Sequence, residues 1–175
     1  CVVFRDKDAA NMEALDDYPH GNLRLTTATT IIALNLFYLP DFIKWKLSKQ
    51  WKLLNKFPAG AGMIDLHLAY WPPQLNCKVL PKWFKMEVTE KFNEFYPWLE
   101  ENWQKCNGVE NLSFTEWREL PYGIKRLEGL VSFMNSEDWS ERLPETAEWC
   151  YTIAKRRKLD FLKIFPDLEW LQWYA

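Results

Sequence analysis

GMIDLHLAYWPPQLNCKVLPKW, residues 62–83, reads as a strand, a proline-broken loop and the start of a helix. Side chains alternate across a strand. Met63, Asp65, His67 and Ala69 therefore share one face, and Ile64, Leu66, Leu68 and Tyr70 share the other. The second set is apolar and calls for a helix layer. The first mixes Asp and His with small apolar residues, which suits a barrel lumen or a sheet cleft. Pro72 and Pro73 end the strand, because proline cannot donate to a ladder. Leu80 and Pro81 open the next helix, where Trp83, Phe84, Val88, Phe92 and Phe95 follow helical spacing. Pro97 sits inside that pattern and predicts a kink or break near Tyr96.

Upstream, Leu23–Ile32 (LRLTTATTII) alternates and is β-branched, so it is expected to be a strand. Asn35–Gln50 reads as a helix entered through a turn, with Pro40 in its first turn. Phe42, Ile43, Trp45, Leu47 and Trp51 form its apolar face, and Lys44, Lys46 and Lys49 are expected towards water. PAGAG, residues 58–62, closes it. Strand, helix and strand in this order predict a right-handed parallel βαβ unit. Val2–Phe4 reads as the tail of a further strand and Asp8–Leu15 as a short helix.

Downstream the expectation is a loop at Lys105–Asn111, then helices at Phe114–Glu119, Gly123–Met134, Trp139–Lys158 and Leu159–Ile164. The closing IFPDLEWLQWYA is expected to pack back on the sheet or the long helix. The fold class expected is α/β: a partial (β/α) TIM-like barrel of two to three parallel strands, with flanking helices and a helical C-terminal tail. Residues 1–104 would form the barrel part and 105–175 the tail packed on it.

The chain has 175 residues, enough for one domain with a core. A net charge of −2 gives no electrostatic case for nucleic acid or an anionic membrane. The longest apolar run, near Thr30–Leu34, is far too short to span a bilayer. Aromatics make up 17% with eleven Trp, so many rings are expected to be half-buried on helix faces or along a groove. Cys1, Cys77, Cys106 and Cys150 form no C-x-x-C pair, and His20 and His67 lie far apart, so metal-site spacing is absent. Dispersed cysteines read as reduced and inert; a Cys77–Cys106 disulfide stays open without support. The first residue, Cys1, leads straight into VVF, as expected of a piece of a longer protein or of a trimmed product.

Few residues carry chemistry by pattern. Asp65 and His67 share a strand face and could hold a proton or orient a ligand, or be hydrogen-bonded lumen residues. Trp71 with Pro72 and Pro73 offers an aromatic platform or a rigid turn. The threonines at 26, 27, 29 and 30 offer hydroxyls at a strand end, or follow β propensity alone. Lys155–Lys158 reads as a solvated helix end whose charge suits the macrodipole. A Gly-rich phosphate loop, a Ser–His–Asp arrangement and H-E-x-x-H are absent from the sequence.

Three segments in order are similar to a known group. TTATTIIALNLFYLPDFIKW (26–45), LHLAYWPPQLNCKVLPKWFKMEV (66–88) and the tail FMNSEDWSERLPETAEW with RRKLDFLKIFPDL (156–168) resemble the C-terminal half of twitch-type radical SAM proteins of bacteria and phages. The resemblance covers about residues 20–170. It implies a cytoplasmic iron–sulfur enzyme that cleaves S-adenosylmethionine to a 5′-deoxyadenosyl radical at a [4Fe–4S] cluster. It also implies that Thr29, Thr30 and Asn35 at one strand end, and His67 and Tyr70 at the next, contact cofactor or substrate. Two departures stand out. Ala154 occupies the place of the Asp in the family's L-D-x-x-R pattern, and C-x-x-x-C-x-x-C is missing. Cluster ligands are thus not expected from this chain, which would complete a barrel begun by an N-terminal half. A rival expectation is a non-catalytic, aromatic-rich helical binding module, with a groove between the Phe37–Trp51 helix and the tail.

Overall fold

The computed structural model describes residues 6–19, 27–49, 51–53, 65–106 and 119–175. In chain order these form helix α1 (Asp6–Asp16), strand β1 (Ala28–Ile31), helix α2 (Leu39–Ser48) and strand β2 (Asp65–Leu68). Helices α3 (Lys82–Cys106), α4 (Glu119–Asn135), α5 (Leu143–Arg156) and the single turn α6 (Phe161–Ile164) follow. Short 3-10 segments lie at Pro73–Leu75, Cys77–Val79, Ser140–Arg142 and Pro166–Tyr174. The expected element at Val2–Phe4, the Phe114–Glu119 helix up to Arg118, and the first residues of the Leu23–Ile32 strand fall outside the described residues.

β1 and β2 pair in parallel, with Ala28 opposite Asp65 and Ile31 opposite Leu68. The expected βαβ unit is therefore present in an otherwise mostly helical α/β fold. The barrel is not: among the described residues the sheet has two strands. The reason is visible at the strand edges. The Ala69 N–H donates to the Ile31 carbonyl at 3.0 Å. Residues 65, 67 and 69 thus turn their peptide groups to β1, and those of Leu66 point to the outer edge. There Arg126 of α4 donates from Nη2 to the Leu66 carbonyl at 2.9 Å. On the outer edge of β1, Asn35 Nδ2 donates to the Thr30 carbonyl at 2.8 Å. A side chain caps each edge where a third strand would dock.

The core is built on α3. Phe84, Val88, Phe92, Phe95 and Leu99 recur every three or four residues and are each at most 1% exposed. Phe42, Ile43 and Leu47 of α2 and Leu127, Leu130 and Met134 of α4 pack in the same cluster, as do Leu143, Ala147 and Cys150 of α5. Pro97 does not break α3, which runs unbroken to Cys106. Its ring lies on the exposed side, where a missing hydrogen bond is replaced by water and the buried stripe holds the helix together. The closing segment packs back as expected on the long helix: Trp170 meets Trp83 and Phe84 with ring centres 5.3 and 5.2 Å away.

Lys46 departs from the expectation of solvent exposure. It is 1% exposed, because α2 is covered on more than its apolar stripe; Trp51 folds back to donate its indole N–H to the Lys46 carbonyl at 2.7 Å.

Candidate functional site

Thr29, Thr30 and Asn35, separated in sequence by a turn, line one cleft of about 220 Å³ that runs along the outer edge of β1. Residues 27–30 form one wall, and Tyr38, Leu39 and Phe42 from the start of α2 form the other. Alternation along β1 turns the peptide groups of Ala28 and Thr30 towards the cleft and those of Thr29 and Ile31 towards β2. One wall is therefore a polar strand edge and the other is aromatic and aliphatic. Among the described residues, the buried Thr27 hydroxyl in this wall has no hydrogen-bond partner.

Asn35 shapes the cleft more than it offers groups to it. Its Oδ1 accepts from the Ile32 N–H at 2.9 Å while its Nδ2 holds the Thr30 carbonyl. Both ends of the amide are committed to turning the chain from β1 into α2. Tyr38 is anchored too: its hydroxyl accepts from the Asp167 N–H at 3.1 Å, and its ring lies 5.9 Å from Phe165. Burial pushes its phenol well above the ordinary range, so it stays protonated. This contact joins the start of α2 directly to the tail, where the sequence suggested a groove. Outside the cleft, Lys91 of α3 lies 2.6 Å from Asp41 and 3.8 Å from the centre of the Phe37 ring, tying the start of α2 to α3.

His67 and Tyr70 are not brought into this cleft. His67 stands opposite Thr30 in register, so the two share the sheet face away from the core. That face is exposed at Ala28, Thr30 and His67, not enclosed as a lumen. Tyr70 lies beyond the strand, 65% exposed, with its ring edge-on to Phe133 of α4 at 5.5 Å. The side chain of Asp65 lies outside the described residues, so the expected Asp65–His67 pairing does too. Trp71, before a cis peptide bond to Pro72, is 82% exposed.

The cleft's second wall, Tyr38, Leu39 and Phe42, is not among the expected contacts. Its signal is the run Tyr38, Leu39, Phe42 that follows Asn35 at helical spacing. A polar knot under the loop that follows β2 is likewise unanticipated. Lys78, 7% exposed, is ion-paired to Glu137 and lies 4.4 Å from the centre of the Phe133 ring. Lys85 donates to the Glu137 carbonyl at 2.7 Å, and Trp139 donates to Glu137 Oε2 at 3.0 Å. Burial lowers the Lys85 amine, and the Lys78 bond lowers the Glu137 carboxyl. These contacts pin the loop to the α4–α5 corner.

Cys77 and Cys150 are free and buried, so the open Cys77–Cys106 disulfide does not form. Burial pushes their thiols up to about 11 and about 12. Among the described residues no three His, Cys, Asp or Glu side chains gather as a metal site, and no helix is long and apolar enough to cross a membrane. The sequence matches no family model, no curated protein and no solved structure.

Proposed function

We propose that the chain is the C-terminal part of a twitch-type radical SAM protein, a cytoplasmic enzyme, and that the β1–α2 cleft takes the adenosyl end of S-adenosylmethionine. The observation that carries this reading is the convergence of Thr29, Thr30 and Asn35 on one cleft along the edge of a parallel strand. A strand edge with hydroxyls on one side and Tyr38, Leu39 and Phe42 on the other suits a planar, hydrogen-bonding base. The orphaned Thr27 hydroxyl fits the same ligand. At about 220 Å³ the cleft is below the several hundred Å³ usual for whole cofactors, so it takes the adenosyl end alone.

The cluster is a different matter. Iron–sulfur clusters are held by cysteine thiolates, and the buried, protonated Cys77 and Cys150 do not supply the set. The [4Fe–4S] site of such a protein would lie on its N-terminal half, outside these residues. S-adenosylmethionine, when bound, supplies the hydrogen-abstracting adenosyl chemistry of the family. This chain's part is to bind and orient: Thr27 and Thr29, on the α2 side of β1, supply hydroxyls, Asn35 fixes the turn, and Leu39 and Phe42 exclude water. His67 faces the sheet's open side, where a substrate would approach, and Tyr70 lies beyond the strand against α4.

The test is nuclear magnetic resonance of the 175-residue chain titrated with 5′-deoxyadenosine. Amide shifts confined to Ala28–Thr30 and their loss in Phe42→Ala are expected; shifts elsewhere, or none, would overturn the reading. A stoichiometric [4Fe–4S] signal after anaerobic reconstitution of this chain alone would overturn it as well.

A second reading, the non-catalytic binding module, draws on Trp71 and Trp173, which are 82% and 75% exposed. Tryptophan is enriched among the residues that anchor protein–protein interfaces. Under that reading 5′-deoxyadenosine leaves Ala28–Thr30 unmoved.

A further inference from the structure

A second cavity lies between the 32–34 turn, α5 and the segment from Leu159 to Phe165. Its volume is about 180 Å³, and apolar cavities of ~150 Å³ stay dry and accept a benzene ring. Leu34, Cys150, Ala154 and Phe161 are its buried lining. Ile32, Trp149, Ile153, Leu159, Ile164 and Phe165 are half-buried, so the cavity is open to solvent and not sealed. Every lining residue is apolar or a thiol; a polar group entering it would lose its water without gaining a partner.

The surroundings of the mouth are the opposite in character. Cys150, Ile153, Ala154 and Arg157 recur at helical spacing, so the stripe that lines the cavity continues onto Arg157. Lys158 ends the helix with φ at 53°, and the Leu159 N–H then donates to the Ala154 carbonyl at 2.8 Å. That turn brings Leu159 back to the cavity, with exposed Arg157 and Lys158 next to the lining residues Ala154 and Leu159. The carbonyl end of α5 carries about half a negative charge, which these two full positive charges exceed. Asp160 beside them caps α6 by accepting from the Lys163 N–H at 3.1 Å.

We propose that this cavity binds a small anionic amphiphile: one apolar ring or short acyl chain inside, its carboxylate outside beside Arg157 and Lys158. The site shares no residue with the β1–α2 cleft and does not rest on the reading given for that cleft.

The experiment titrates the 175-residue chain with phenylacetate, benzyl alcohol and benzylamine by isothermal calorimetry and methyl-detected magnetic resonance. Phenylacetate is expected to bind tightest and benzylamine weakest, with the gap shrinking in high salt. Methyl shifts should centre on Leu34, Ile153 and Ala154. Ala154→Leu fills the cavity and is expected to abolish phenylacetate binding. Arg157→Gln, a surface change that leaves folding intact, is expected to weaken phenylacetate about two- to fivefold and to leave benzyl alcohol unchanged. Equal affinity for the three probes, an absence of phenylacetate binding at millimolar concentration, or unchanged binding in folded Ala154→Leu would each overturn the proposal.

Discussion

Replacing Lys46 with Met should remove a rise in stability that the parent protein gains between pH 7 and pH 10. Lys46 is 1% exposed, and burial alone lowers its amine from the ordinary 10.5 to about 8. Burial disfavours the charged form of a lysine. The unfolded chain holds this proton up to about pH 10.5, whereas the folded chain releases it near pH 8. Between those values the unfolded state binds more protons, so stability rises with pH. Below about pH 8 both states are charged and the full penalty applies. At ~1.4 kcal/mol per tenfold change in proton affinity, it amounts to ~3 kcal/mol. Methionine keeps the unbranched stem and needs no charge inside. Relative to Lys46→Met, the parent should therefore gain ~2–3 kcal/mol of stability between pH 7 and pH 10. Urea unfolding followed by tryptophan fluorescence at both pH values measures it. Comparing variant with parent cancels the other titrating groups. A stability difference between variant and parent that is the same at pH 7 and pH 10 would refute the reasoning.

Asn35→Ala removes the bonds that cap β1 and close the turn into α2, and should cost ~1–3 kcal/mol in the same assay; an effect within error would mean the turn is held by packing. Pro97→Ala restores a donor inside α3 at an exposed position and should stabilise by ~1–3 kcal/mol, read as a rise in Tm; a lower Tm would show that the ring packs favourably. Cys77 and Cys150, with thiols raised to about 11 and about 12, should alkylate at pH 8 more slowly than in the urea-unfolded chain, by a factor on the order of 10² or more. Peptide mapping after iodoacetamide reads each site, and native labelling as fast as unfolded labelling would contradict their burial.

The parallel βαβ unit and the long α3 were legible because each is a local pattern. Alternation marks 65–68, a stripe every three or four residues marks 84–99, and prolines mark the boundaries. Of the candidate site, Thr29, Thr30 and Asn35 were legible as a strand end, since position in a parallel sheet carries that information. Their partners Tyr38, Leu39 and Phe42 were not, because a helical stripe does not say whether a ring faces core or cleft.

What the sequence determined by itself was the order of strand, helix and strand and the amphipathic faces, both governed by neighbours within a few residues. Tertiary structure decided the rest. Arg126 reaches the β2 edge across sixty residues and Asn35 turns back on Thr30, so the described sheet has two strands where repetition of the local pattern suggested more. Lys46 lies inside because surrounding segments close over it, and Pro97 is carried by the packing on the far side of its helix. Each of these outcomes depends on groups brought together by folding, whose free energies outweigh the local preferences of the residues concerned.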